Sequence, residues 1–101
     1  MSGRRKVEVL ASEVADAPLE DRELLAELIR ALVDEPAKVR VTERVSPGGN
    51  EATLTVSCAS EDRGKVIGRR GGTIGALRLL FAAIGAADGR KVSVRVSENE
   101  S

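Results

Sequence analysis

Between residues 66 and 74 the chain reads Val66-Ile67-Gly68-Arg69-Arg70-Gly71-Gly72-Thr73-Ile74, and no other stretch restricts the fold as much. Two aliphatic residues lead into a glycine, a second glycine follows three positions later, and an apolar period of helical spacing starts at Ile74. A Gly-x-x-Gly step of this kind predicts a sharp corner between two helices. Neither glycine carries a β-carbon, so the backbone reaches dihedrals that are costly for other residues and a ligand can approach the main chain closely. The helix beyond the corner opens with amides that lack intrahelical partners and with the positive end of its dipole, so an anion is the natural guest. Arg69 and Arg70 fill the two variable positions, and a guanidinium fork matches phosphate oxygens. The loop is suited to a sugar-phosphate backbone.

The rest of the chain supplies the elements such a corner needs. Leu24, Leu25, Leu28, Ile29, Leu32 and Val33 recur at helical spacing, predicting a scaffold helix that starts at Pro18, carries Glu20, Asp21 and Glu23 in its first turn and stops before Pro36. Val39, Val41 and Val45 alternate with polar residues, interrupted at Glu43, and Ala52, Leu54, Val56 and Cys58 do the same after the turn formers Ser46-Pro47-Gly48-Gly49-Asn50. Two such runs joined by five residues predict an antiparallel hairpin. Ser60 or Asp62 is placed to cap a short helix over 63–67. A second helix, 72–87, points Ile74, Leu77, Leu80, Phe81 and Ile84 inward, and a last strand carries Val92, Val94 and Val96. The order is helix, strand, strand, helix, helix, strand: an α+β domain over 18–97, with an extension of low order at 1–17 and a polar tail at 98–101.

These elements around Glu61-Asp62-Arg63-Gly64-Lys65-Val66-Ile67-Gly68-Arg69-Arg70-Gly71, closed by Arg90-Lys91-Val92-Ser93-Val94-Arg95-Val96, resemble the small bacterial stand-alone KH proteins of the KhpA type. In KH domains a GXXG loop clamps the backbone of about four nucleotides. The resemblance implies the type II αββααβ fold, a three-stranded sheet with helices on one face, and single-stranded RNA binding as an RNA chaperone or post-transcriptional regulator. It implies a site in which Gly68, Arg69, Arg70 and Gly71 hold phosphates, Val66, Ile67 and Ile74 form apolar walls, Gly72 and Thr73 open the second helix, and Lys65, Arg63 and Arg78 widen the basic rim. It also implies partners: a second KH protein of the Jag or KhpB type, or a second copy of the chain. The competing role is a degenerate KH domain used for protein interaction or dimerisation. Four features depart from the family pattern: Arg69, where lysine is frequent, the charged Arg70, Gly72, which stands where a longer polar residue is usual, and the extension before Pro18.

Composition narrows the function further. Phe81 is the sole aromatic residue, so stacking of bases on aromatic platforms is excluded. The absence of histidine and the single cysteine, Cys58, rule out a zinc site and Cys/His catalysis. The loop matches neither the Gly-x-x-x-x-Gly-Lys-Ser/Thr nor the Gly-x-Gly-x-x-Gly pattern, so the expectation is a non-enzyme without cofactor. Net charge is +0, yet between residues 63 and 97 Arg63, Lys65, Arg69, Arg70, Arg78, Arg90, Lys91 and Arg95 face a single acid, Asp88. The basic half is the half with the loop, and local field steers a polyanion more than the total does. Gly75 within a helix costs about 1 kcal/mol relative to alanine, which suggests a close backbone contact there, with a neighbouring element or with RNA. The N-terminal apolar run is too short for a signal-peptide core or a membrane span, and a cytosolic location is expected.

Overall fold

Three valine-rich alternating stretches come together as one mixed sheet in a computed structural model that describes residues 20–97. The proposed 1–17 extension, the Pro18 helix start and the 98–101 tail lie outside the described residues. Strands β1 (Arg40–Val45) and β2 (Glu51–Ser57) pair antiparallel, with Val45 opposite Ala52 and Arg40 opposite Ser57. The connecting turn closes through Gly49 N–H to Ser46 O (2.8 Å) and Ser46 N–H to Glu51 O (2.9 Å), as its composition predicts. Strand β3 (Lys91–Val96) runs parallel to β2, placing Val92 beside Ala52 and Val94 beside Leu54. The strand order β1-β2-β3 leaves β3 as an edge.

Helices α1 (Asp21–Arg30), α2 (Arg63–Ile67) and α3 (Gly72–Ala87) cover one face of this sheet. The core joins Leu25 and Ile29 of α1, Val66 of α2, and Ile74, Leu77 and Phe81 of α3 to Ala52, Leu54, Val56, Val92 and Val94 of the strands. Phe81 is fully buried at the centre, and burial of a side chain of that size contributes about 3 kcal/mol. Gly85 is where α3 meets β3 most closely: an added β-carbon would lie 2.9 Å from Arg90 O and against Val92. The order and layering are those of the type II KH arrangement that the sequence implies.

Several local expectations give way to tertiary contacts. α1 ends at Arg30, short of Leu32 and Val33, because the amides of Asp34 and Glu35 donate to the Asp62 carboxylate at 3.3 and 3.0 Å and turn the chain away. Leu32 is left exposed, and so is Val45 on β1. Neither Ser60 nor Asp62 caps the helical segment after them. Asp62 instead is 1% exposed and serves the α1–β1 connection, with Lys65 Nζ 3.9 Å away. Leu80 also leaves the inward series: it is exposed, whereas Ile74, Leu77, Phe81 and Gly85 form the buried stripe of α3.

Removing the Asp62 carboxylate strands two amides in a part-buried setting. Asp62→Ala is therefore expected to cost about 2 kcal/mol, lowering the melting temperature by about 10 °C, checked by thermal and urea unfolding.

Candidate nucleic-acid interface

The corner between α2 and α3 is fixed by one steric fit. Gly68 takes φ +80° and ψ 170°, a conformation that L side chains avoid, and an added β-carbon would lie 2.7 Å from Thr73 N and overlap the Thr73 side chain. Gly68 N–H donates to Gly64 O (2.8 Å), closing α2, and Gly71 N–H donates back to Gly68 O (3.1 Å), closing a single 3-10 turn over Arg69–Gly71. Arg70 (φ +57°) and Gly71 (φ +75°) both sit in the left-handed region, and Arg70 is the one non-glycine residue there among the described residues. That conformation costs a non-glycine residue about 1–2 kcal/mol and projects Arg70 outward. No side chain caps the first amides of α3, which face the turn.

Arg69 and Arg70 are exposed, and among the described residues neither forms an ion pair. Other basic residues of the second half are committed to the scaffold. Lys65 Nζ lies 3.3 Å from Asp34 as well as near Asp62, and Arg90 pairs with Asp21 at 2.9 Å. Lys65 thus braces α2 against the α1–β1 connection rather than standing free beside the loop. Arg63 is half-buried, with its Nε lacking a partner among the described residues. Val66 and Ile74 are core residues, buried by the sheet and by each other's helices, so neither forms an open wall; Ile67 is half-buried and packs at the margin of the core.

The accessible apolar surface lies elsewhere, in a groove between α3 and the free edge of β3 lined by Gly75, Arg78, Leu79, Ala82, Val92, Ser93 and Val94. Leu79 is 76% exposed along its rim. Arg78 crosses the groove, its Nε donating to Val94 O at 3.0 Å, which fixes the guanidinium against the edge strand. A β-carbon on Gly75 would meet nothing within 4 Å, so no neighbouring element explains that glycine; the space beside it opens into the groove. Leu79, Ala82 and Ser93 were not singled out from the sequence. The signal was present: Gly75, Arg78, Leu79 and Ala82 fall at i, i+3, i+4 and i+7, a second helical stripe one step round from the core stripe.

The corner stands at the N-terminus of α3, and the groove begins one turn further along the same helix. The model of the KhpA/KhpB KH domain matches residues 22–96. The chain belongs to the KhpA/KhpB KH-domain family. Among curated relatives, the RNA-binding protein KhpA of Leifsonia xyli subsp. xyli is 44% identical over 75 residues, covering 74% of this chain and 93% of the relative. The RNA-binding protein KhpA of Treponema pallidum is 42% identical over 76 residues, covering 75% and 92%. That of Chlamydia trachomatis is 36% identical over 77 residues, covering 76% and 96%. No solved structure matches the chain significantly. KH domains of this family are a non-catalytic kind of protein. Among the described residues no helix is long and apolar enough to cross a membrane, and no cluster of acidic or cysteine side chains could hold a metal ion. Cys58 is buried, and burial first, then the nearby Asp62 charge, pushes its thiol upward in pKa, so it stays protonated at neutral pH.

The glycines of the corner differ in what replaces them. Gly68→Ala is expected to destabilise the domain by about 2 kcal/mol or more through clash and strain. Gly72, helical at φ −65° with open space around it, should gain about 0.5–1 kcal/mol on change to alanine. Urea unfolding of the two variants checks the opposite signs.

Proposed function

We propose that this KH domain, residues 18–97, binds single-stranded RNA, with Gly68, Arg69, Arg70 and Gly71 gripping the sugar-phosphate backbone and the α3–β3 groove receiving bases. The observation that carries this is the outward presentation of Arg69 and Arg70, without ion pairs among the described residues, on the turn that leads into the helix walling an apolar groove. The relatives' name, RNA-binding protein KhpA, supports it. Gly72 and Thr73 present their backbone to the same phosphates, and Thr73 doubles as the stop against which Gly68 is set. Arg78 and Ser93, together with the β3 edge, supply the groove's polar groups, so discrimination between bases falls to them rather than to the loop.

The biological role this serves is that of an RNA chaperone or post-transcriptional regulator in the cytoplasm. One module holding about four nucleotides gains avidity from pairing, so a second KH protein of the Jag or KhpB type, or a second copy of this chain, is the proposed companion. Exposed Leu80, outside the groove, favours a protein contact as a second use of α3. A domain that used such contacts alone would be the degenerate interaction module.

Binding isotherms with a single-stranded oligoribonucleotide across a salt series decide between them. The native chain is expected to bind with a steep salt dependence, and Arg69→Asp combined with Arg70→Asp should keep the circular dichroism of the fold while losing at least about tenfold in affinity. Equal affinity of the two proteins leaves the interaction module as the better account. The groove is tested by Gly75→Ala, whose effects should run in opposite directions. Stability rises by about 0.5–1 kcal/mol as helix propensity improves, while RNA affinity falls because the methyl group occupies the open space beside the bases.

A further inference from the structure

The face of the sheet turned away from the helices carries a second set of cations. Strand register places Thr42, Thr55 and Arg95 in one row, Arg44, Thr53 and Ser93 in the next, Arg40 beside Ser57 on one side and Glu51 beside Lys91 on the other. These are the residues that alternate with the buried aliphatics, so they share the open face. It bears hydroxyls, the guanidinium groups of Arg40, Arg44 and Arg95, the Lys91 ammonium and the Glu51 carboxylate, and no aliphatic or aromatic side chain. A shallow concavity across it is lined by Thr42, Glu43, Arg44, Thr53, Thr55 and Arg95.

Several cations off this face are held by carboxylates. Arg30, Lys38, Lys65 and Arg90 each pair with a carboxylate. Arg44, Lys91 and Arg95 form no ion pair among the described residues, although Glu43 and Glu51 are close in sequence or register. The face is also continuous with the groove. Ser93 lines the groove and, by register, belongs to the row of Thr53 and Arg44. Arg95 follows Val94, the residue whose carbonyl anchors Arg78. A strand leaving the groove over the β3 edge therefore meets Arg95 first and then the threonine-lined floor.

We propose that RNA longer than the groove continues around the β3 edge onto this open face, where Arg95 and Arg44 neutralise its phosphates and the hydroxyls of Thr53 and Thr55 donate to them. The proposal rests on the RNA role assigned to the loop and groove. Phosphate is the chemistry selected, since guanidinium and hydroxyl donors match its oxygens and a face without apolar side chains offers nothing to lipid chains. Arg44 and Arg95 stand on the two strands flanking β2 and two residues apart in register, about 12 Å from each other across the sheet, a span that a backbone can bridge. Glu43, paired with Leu54 in the opposite series, also lines the concavity beside Arg44, so its carboxylate opposes phosphate at the β1 side of the track.

Fluorescence anisotropy with RNA of about four and of about ten nucleotides tests this. In the variant with Arg44→Glu and Arg95→Glu, affinity for the short RNA should stay within about twofold of the native chain, while affinity for the long RNA falls about tenfold and its salt dependence becomes shallower. Milder Arg44→Gln and Arg95→Gln changes should show the same length selectivity, and Glu43→Gln should strengthen binding of the long RNA alone. Equal loss for both lengths would mean a general field effect and overturns the proposal. So does no loss at either length, including the case in which the face proves to hold an acidic protein instead. The loop reading is judged separately: if Arg69→Asp with Arg70→Asp leaves short-RNA binding intact, that assignment fails whatever the sheet variants do.

Discussion

The fit of Thr73 against a β-carbon-free Gly68 is the contact on which the functional geometry depends. It sets where α3 begins relative to the end of α2, and this one displacement has two results. Arg69 and Arg70 are thrust outward on a strained turn, and α3 is aligned so that one stripe enters the core while the next faces the β3 edge. Any side chain at position 68 would have to move Thr73, and with it the first turn of α3. Loop and groove are thus coupled through backbone sterics, with no need for a bond between them.

Around that corner the acidic first half of the chain acts selectively. Asp21, Asp34 and Asp62 engage Arg90 and Lys65, cations that hold elements together. Only Lys65–Asp34 is an exposed pair, of a kind that contributes little stability, but together these pairs neutralise scaffold cations and leave the unpaired arginines of the corner as local positive charge. Asp62 has the further task of receiving two amides from the α1–β1 connection, so the turn that precedes α2 is tied to a segment 27–28 residues earlier in the chain. A net charge of +0 is therefore compatible with a strongly local positive site.

Much of this was legible in the sequence because it rests on short-range regularities. The hairpin followed from alternation and a five-residue turn, α2 and α3 from the glycines between them, and the element order from periods alone. What escaped depended on distant partners. Leu32 and Val33 continue a helical pattern, and only the capture of the Asp34 and Glu35 amides by Asp62 ends α1 earlier. Leu80 satisfies an inward spacing but lies at the margin of the stripe, where no element covers it. Val66 and Ile74 flank the glycines in sequence, yet their helices turn them into the core, and the open apolar surface passes to Leu79 and Ala82. Lys65 looked like part of a basic rim because charge counting cannot show which cations have found carboxylates.

The parallel pairing of β3 with β2 carries a temporal corollary. β2, α2, the corner and α3 are contiguous and precede β3, so during synthesis the arginine turn can form before the edge strand emerges and docks. The second wall of the groove is that late strand. The cleft between α3 and β3 therefore exists only once the sheet is complete.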